Sequence, residues 1–268
     1  MDWQTFILIA NNIFYRIRGS DKQGVFCLKK DYSVGKYDAL IVVDVQNDFS
    51  PGGALPVSKG DEVVPVLNEY INLFVKAKSN IVATRDWHPP NHISFKAQGG
   101  LWPPHCVKNT EGAKFHPDLK LPRRTIVVSK AMNPLKENYS PFETPELESI
   151  LKKEGVTRVF VGGLATDYCV KHTILDALEL GFDSVLLTDA VAAINAGYGD
   201  EARAIDEMTK NGAEQATIID FLYPLELPPT SDPNAERLSE KYLLKLETAK
   251  KARMRPRGPY KQIRVERG

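Results

Sequence analysis

Short runs of apolar residues alternate with helical patterns from residue 37 onward, and this alternation constrains the fold more than any other feature of the chain. Runs that are apolar throughout and rich in β-branched residues are typical of strands buried on both faces of a parallel sheet. Segments whose apolar residues recur every three to four positions are typical of helices that cover such a sheet. The alternation therefore predicts βαβ units and an α/β fold.

The predicted elements can be assigned along the chain. Strands are expected at residues 39–43, 80–84, 125–128, 158–161, 184–187 and 216–219. Helices are expected at residues 61–78, 145–153, 167–180 and 200–210. We expect these elements to form a three-layer α/β/α sandwich around a mainly parallel, doubly wound six-stranded sheet.

The length of the chain suits one catalytic domain with appendages. Its 268 residues, 43% of them hydrophobic and 26% charged, are typical of a single soluble domain. The pattern delimits a domain at residues 37–227, between an N-terminal extension at 1–36 and a C-terminal extension at 228–268. From residue 236 the latter holds eleven Lys or Arg against four Glu, and Leu238, Tyr242 and Leu246 form an apolar stripe. We expect this extension to be basic and partly helical.

Cysteine usage and the first residues indicate where the protein resides. The apolar stretch at 6–10 lacks a basic front and a cleavage site, so neither a secretory signal nor a membrane span is predicted. The three cysteines, Cys27, Cys106 and Cys169, are odd in number and unpaired in spacing. This pattern disfavours a disulfide framework and indicates a reducing compartment, so we expect a cytoplasmic protein.

Reactive side chains follow the ends of four predicted strands. Asp44 ends the first strand, Asp86 and His88 end the second, Lys130 ends the third, and Cys169 follows the fourth. Ligands of open α/β sheets bind outside the carboxyl ends of the strands, near the point where strand order reverses. We therefore expect these side chains to meet at one edge of the sheet.

Cys169 is the candidate nucleophile of this edge. Thr166 is the expected N-cap of the following helix, which sets Cys169 in the first turn. A helix N-terminus and a nearby cation, here Lys130, lower the pKa of a thiol, and Asp44 is the candidate general base. The backbone N–H groups of Ala165 and Cys169 lie around the same turn and form a candidate oxyanion hole. The alternative is that Cys169 is an ordinary small buried residue. Its position at the start of a helix on the reactive edge favours the nucleophile instead.

Histidines in the long loop at 89–124 indicate a metal site. Asp86 and His88 alternate along an extended segment, and His105 returns to complete a set of three. Three protein ligands leave coordination positions open, as in catalytic sites. His92 is either a fourth ligand or a support for the others, and His116 is taken as structural, as is His172. One divalent ion is expected, zinc first, with iron and manganese left open.

Five motifs in order carry a family resemblance. They are V-D-V-Q-N-D-F at 43–49, D-W-H-P-P-N-H-I-S-F at 86–95, L-W-P-P-H-C-V at 101–107, V-S-K at 128–130 with E-N-Y-S-P-F at 137–142, and G-L-A-T-D-Y-C-V at 163–170. Together they resemble the nicotinamidase/pyrazinamidase branch of the isochorismatase-like hydrolases over roughly residues 38–222. The resemblance implies an isochorismatase-like domain that converts nicotinamide and pyrazinamide to the acid and ammonia in NAD salvage.

The resemblance also implies roles for single residues. Asp44, Lys130 and Cys169 would form a catalytic triad that works through a thioester, and Asp86, His88 and His105 would hold the metal. The ring nitrogen of the substrate would approach the metal while the carboxamide faces the thiol. A further set of residues would bind the substrate: Phe49 and Trp102 on either side of the pyridine ring, with Leu164 and Tyr139. A cis peptide bond between Leu164 and Ala165 is implied as well.

Three other hypotheses remain open. A metal-free isochorismatase or N-carbamoyl amide hydrolase would share Asp44 and Lys130 but lack the metal ligands. A metallohydrolase could use a metal-bound hydroxide as nucleophile, with Cys169 incidental. The basic extension could bind an anionic partner, although Tyr260 as its one aromatic residue from 250 onward disfavours nucleic acid. The apolar stripe could instead dock on the core or on another subunit of a homo-oligomer. No membrane partner is expected.

Overall fold

The computed structural model describes residues 9–10, 13–14 and 32–222. The predicted C-terminal extension at 228–268 lies outside these residues, as does most of the N-terminal extension at 1–36. Two short strands, β1 (Ile9–Ala10) and β2 (Ile13–Phe14), pair antiparallel. None of the helices in the described ranges is long and apolar enough to cross a membrane.

A six-stranded parallel sheet forms the centre of the fold. Its strands are β3 (Asp38–Val43), β4 (Asn80–Asp86), β5 (Ile126–Lys130), β6 (Arg158–Leu164), β7 (Asp183–Ala192) and β8 (Glu214–Ala216). Their spatial order is β5-β4-β3-β6-β7-β8, and every neighbouring pair is parallel. The chain therefore winds outward from β3 on one side and from β6 on the other, so strand order reverses between these two central strands.

Helices cover both faces of the sheet and complete three layers. They are α1 (Val63–Lys76), α2 (Pro145–Lys153), α3 (Lys171–Glu179), α4 (Asp200–Lys210) and α5 (Ile219–Leu222). One apolar core lies between α1 and one face, with Leu67 and Phe74 packed near Phe160. The second core lies on the opposite face, where Leu147 of α2 and Ile174 of α3 are buried. The predicted α/β/α sandwich is confirmed.

The last strand was predicted in the wrong place. Three of the residues at 216–219 are apolar and three are β-branched, but the strand ends at Ala216 and a helical turn begins at Ile219. The Asp220 carboxylate accepts hydrogen bonds from the backbone N–H and the hydroxyl of Thr217, at 2.7 and 2.8 Å. This local capping competes with strand pairing, because a short polar side chain offers the backbone an alternative partner. The run beginning at Thr217 therefore turns instead of extending the sheet.

Gly163 allows the two central strands to approach closely where they carry the site. It pairs with Val43 of β3 and has a φ of 123°, a conformation that L side chains rarely adopt. The register between β6 and β7 also shifts between Val161 and Gly163. A Cβ atom at Gly163 would lie 2.1 Å from the carbonyl oxygen of Val43. Only glycine fits at this position without displacing a neighbouring strand.

We expect Gly163→Ala to destabilise the protein by about 3 kcal/mol or more, because it adds a backbone clash to an unfavourable φ. Gly181→Ala is the matched control, since Gly181 has a φ of 85° and no atom within 4 Å of an added Cβ. The control should cost only about 1–2 kcal/mol. Urea unfolding of both variants measures the difference, and equal losses would contradict the packing argument.

Candidate active site

Side chains from four parallel strands meet at the carboxyl edge of the sheet, as predicted. Asp44 follows β3, Asp86 and Lys130 are the last residues of β4 and β5, and Cys169 lies in the turn after β6. Oxygen atoms of Asp44 and Asp86 and the sulfur of Cys169 all lie within 4.8 Å of one another. All four residues are buried. The edge therefore holds a compact, desolvated group of ionisable side chains.

Lys130 is the centre of this group. Its Nζ lies 2.9 Å from Asp44 Oδ2 and 3.3 Å from Cys169 Sγ, and it donates a hydrogen bond to Asp86 Oδ1. Burial by itself would lower the pKa of Lys130, but Asp44 and Asp86 outweigh it and hold the pKa well above its usual value. Lys130 is therefore a permanent ammonium ion that keeps two carboxylates and a thiol together.

Asp44 has the properties of a general base. Burial raises its pKa to about 6, with Lys130 opposing the rise and Asp86 adding to it. Its Oδ1 accepts a hydrogen bond of 2.6 Å from the hydroxyl of Thr84. Its Oδ2 is buried and forms no hydrogen bond among the described residues, although it faces the Lys130 ammonium. At neutral pH the carboxylate is mostly ionised and has a lone pair free to take up a proton.

Cys169 holds its proton more tightly than the sequence suggested. Burial raises the pKa of the thiol well above its usual value, and Lys130 opposes this while Asp44 and Asp86 reinforce it. The expected lowering of the thiol pKa by a cation and a helix end is therefore wrong, because burial first, and then the carboxylates of Asp44 and Asp86, raise the pKa more than Lys130 lowers it. The resting group is a thiol, so its proton must leave as sulfur attacks. This makes the nearby base necessary.

The turn that carries Cys169 differs from the predicted helix start. Residues Thr166–Val170 form a π-helical turn before α3, and the residue before the turn is Ala165. Thr166 is not the N-cap, since it lies within the turn and its hydroxyl has no partner in the described chain. The backbone N–H groups of Tyr168 and Val170 both donate to the Ala165 carbonyl. A cis peptide bond joins Leu164 to Ala165, as the resemblance implied.

Asp86, His88 and His105 form a group suited to a divalent metal. One ligand atom from each lies within 4.8 Å of those of the other two, and all three side chains are buried. His88 Nδ1 is bonded to the His105 carbonyl at 3.0 Å, and His105 Nδ1 to the Pro103 carbonyl at 2.8 Å. Each bond occupies one ring nitrogen and leaves Nε2 for a metal. Burial also lowers the pKa of His88 to about 4, so its imidazole is neutral, as coordination requires.

His92 is placed beside this group with both ring nitrogens engaged. Its Nδ1 is bonded to Ser94 Oγ at 2.7 Å, and its Nε2 to the Lys136 carbonyl at 3.1 Å. Its ring packs on His88 with centroids 4.4 Å apart. The arrangement favours the second of the two predicted roles, in which His92 supports the ligand His88. As a fourth ligand, His92 would have to give up the hydrogen bond on the nitrogen that coordinates the metal.

Gln46 is a site residue that the sequence reasoning missed. Its side chain is fully buried. Its Oε1 accepts a 2.8 Å hydrogen bond from Asp86 N, and its Nε2 donates to the carbonyls of Asp86 and Ala113 at 2.8 and 2.9 Å. Beyond Asp44 the β3 backbone has turned away from β4. The Gln46 amide therefore takes the place of a strand partner for Asp86 and joins it to Ala113 of the long loop. The available sequence signal was a polar glutamine two positions after the candidate base Asp44.

Aromatic side chains from the predicted substrate set lie around the site. The Phe49 ring lies 5.5 Å from the His105 ring, and Leu164 is fully buried. Trp102 Nε1 donates to the Tyr139 hydroxyl at 3.4 Å. The Tyr139 ring also stacks on His172 at 5.3 Å. His172, expected to be structural only, is thus part of the aromatic cluster that positions two of the predicted substrate-binding residues.

A doubly wound parallel sheet with a buried cysteine, lysine and aspartate where strand order reverses defines a class of α/β cysteine hydrolases. The match to family models agrees with this class. Residues 38–220 match the Isochorismatase domain model, and the chain therefore belongs to the isochorismatase domain family. This family assignment confirms the resemblance carried by the five sequence motifs.

Relatives of known name cover most of the described domain. The chain is 40% identical over 204 residues to the nicotinamidase of Escherichia coli (strain K12), covering 68% of this chain and 96% of that protein. The pyrazinamidase of Pyrococcus horikoshii, solved in complex with zinc, is 52% identical with a TM-score of 0.65, covering 68% and 99% of the two chains. PnC1 from L. infantum, solved in complex with nicotinate, is 35% identical with a TM-score of 0.67, covering 72% and 98%.

We expect His88→Ala to lose stoichiometric divalent metal, because it removes one of three converging ligands. His92→Ala should retain the metal with at most about tenfold weaker affinity, as for a residue that only supports a ligand. His116→Ala is the control, since it replaces another histidine of the long loop outside the ligand group. Elemental analysis after dialysis measures the metal content. Loss of metal in His92→Ala equal to that in His88→Ala would make His92 a ligand.

Proposed function

We infer that this chain is a nicotinamidase, a hydrolase that converts nicotinamide, and by the same chemistry pyrazinamide, to the carboxylic acid and ammonia. One observation carries the inference: a buried ammonium, carboxylate and thiol converge beside a group of one carboxylate and two imidazoles. The names of the relatives support the substrate, since they include nicotinamidases and a protein solved with nicotinate. Covalent acyl transfer is the reaction that this set of side chains can perform.

The first half of the reaction forms a thioester. Cys169 Sγ attacks the carboxamide carbon while its proton passes to Asp44 Oδ2, the oxygen that forms no hydrogen bond in the described chain. The carbonyl oxygen gains negative charge, which the backbone N–H groups of Ala165 and Cys169 would stabilise. Asp44 then returns the proton to the departing nitrogen, the C–N bond breaks, and ammonia leaves. Lys130 remains protonated and holds Asp44 in place.

The second half hydrolyses the thioester. Asp44, again ionised, takes a proton from a water molecule as the water oxygen attacks the thioester carbon. The C–S bond then breaks, the acid is released, and the proton on Asp44 returns to the sulfur. Asp44 thus acts as base and acid in each half, which suits a carboxylate whose pKa is about 6.

We propose that Asp86, His88 and His105 hold one zinc ion. The ligand set fits zinc, iron or manganese, and the zinc complex of the related pyrazinamidase favours the first. A bound metal ion would act as a Lewis acid that binds the ring nitrogen of the substrate. On this proposal Phe49 and Trp102 flank the ring, while Leu164 and Tyr139 complete the substrate contacts.

The product of the proposed reaction indicates a metabolic role. Hydrolysis of nicotinamide yields the free acid, so we propose a role in NAD salvage. We also propose a cytoplasmic location, which is supported by the unpaired Cys106 and Cys169.

A homo-oligomer and a role for the basic extension remain predictions. Truncation after residue 227, with activity and size measured, would test both.

Cys169→Ala should lower kcat for nicotinamide by at least about 10³-fold, because loss of a nucleophile removes the covalent route. Cys106→Ala is the matched control, since Cys106 is the other buried free cysteine of the described chain and should retain activity. Ammonia release measures both variants. Turnover by Cys169→Ala close to that of the unsubstituted chain would favour a metal-bound hydroxide as the nucleophile.

Removal of the metal should abolish hydrolysis of nicotinamide and pyrazinamide, and zinc should restore it, because an ion held by Asp86, His88 and His105 would orient the pyridine ring. Ammonia release across a panel of aryl amides and N-carbamoyl amides, before and after chelation, measures this. Full activity after exhaustive metal removal would support a metal-free isochorismatase-like hydrolase instead. Preference for N-carbamoyl substrates would point to the same alternative.

A further inference from the structure

The backbone of β3 leaves β4 at Asp44, and one threonine bridges the point of departure. Asp44 has a φ of 46°, which turns the chain away from the sheet. Its N–H still contacts the Thr84 carbonyl at 3.2 Å and also the Thr84 hydroxyl at 3.2 Å. The same hydroxyl donates to Asp44 Oδ1 at 2.6 Å. Thr84 therefore holds both the backbone and the side chain of the candidate base.

The direction of these bonds assigns different tasks to the two carboxylate oxygens. A threonine hydroxyl has a single proton, and here that proton is donated to Oδ1. The hydroxyl oxygen also accepts a hydrogen bond from the Asp44 N–H. Thr84 therefore fixes Oδ1 relative to the Asp44 backbone. Oδ2 lies 2.9 Å from Lys130 Nζ and forms no hydrogen bond among the described residues. With Oδ1 held by Thr84, we assign proton exchange with the thiol to Oδ2, which is also ion-paired with Lys130.

We propose that Thr84 is a positioning residue that anchors Asp44 Oδ1 so that Oδ2 is presented to the Cys169 thiol. The proposal rests on the proposed function, because it concerns the base of that reaction. Thr84 is fully buried in β4, and both hydrogen bonds of its hydroxyl are made with Asp44. Its hydroxyl therefore affects the chemistry through Asp44 and not through contact with the substrate.

The backbone pairing does not depend on the hydroxyl. Asp44 N retains the Thr84 carbonyl as a partner, and Leu40, Ile41 and Val42 pair with β4 through the main chain. Valine has nearly the shape of threonine, so Thr84→Val removes the hydroxyl bonds with little change in volume. The structure thus separates the role of Thr84 in the fold from its role at Asp44.

Thr84→Val should lower kcat for nicotinamide by about 10²-fold, as expected when a reacting group is misplaced by about 1 Å. KM, the inhibition constant of nicotinate and the metal content should stay within about twofold of the unsubstituted chain, because the substrate contacts are unchanged. Thr84→Ser keeps the hydroxyl and should restore most of kcat. Thr188→Val is the matched control, since the Thr188 hydroxyl donates to the Ala216 carbonyl on the far side of the sheet.

The role of Thr84 alone would be overturned by an unchanged kcat in Thr84→Val, or by a kcat in Thr84→Ser as low as in Thr84→Val. A fall in metal content that matches the fall in kcat would overturn it too, since the loss would then lie at the metal. If Thr84→Val does not fold, Thr84→Ala against Thr84→Ser makes the same comparison, and equal kcat values overturn the proposal. No ammonia release by the unsubstituted chain would overturn the proposed function and this role with it.

Discussion

The buried ammonium of Lys130 is the interaction on which the site depends. It lies against two carboxylates and a thiol in a cluster removed from solvent. Isolated charges are costly to bury, so each of these groups is tolerable only because the others are present. One ammonium between two carboxylates leaves an excess negative charge. That excess makes the edge next to His88 and His105 a favourable place for a divalent cation.

The sheet topology alone brings these groups together, because the parallel strands that carry them end at the same edge. Strand order reverses between β3 and β6, so the chain leaves the two central strands in opposite directions and opens a crevice at their carboxyl ends. β4 lies next to β3 and β5 lies next to β4, and the two strands deliver Asp86 and Lys130 at paired register positions. The close approach of Gly163 to Val43 holds the two sides of the crevice together. The rigid sheet therefore supplies the spacing of the reacting groups.

The sequence predicted this architecture well, because buried parallel strands are strongly apolar in sequence and all run in the same direction. Knowing that strands end at one edge was enough to group Asp44, Asp86, Lys130 and Cys169. The prediction failed where short-range hydrogen bonds compete with hydrophobic pattern, as at Thr217 and Asp220. It also missed Thr84 and Gln46, since a buried threonine or glutamine inside a motif shows its partners only in three dimensions.

The state of the thiol shows why pairwise reasoning about charges was insufficient. Lys130 alone would stabilise a thiolate, but burial raises the pKa of the Cys169 thiol and the nearby carboxylates of Asp44 and Asp86 oppose Lys130. Proton transfer from Cys169 to Asp44 is therefore unfavourable in the resting site. On the proposed mechanism, this transfer becomes favourable as the carbon–sulfur bond forms and negative charge moves to the substrate oxygen, where the backbone N–H groups of Ala165 and Cys169 would stabilise it.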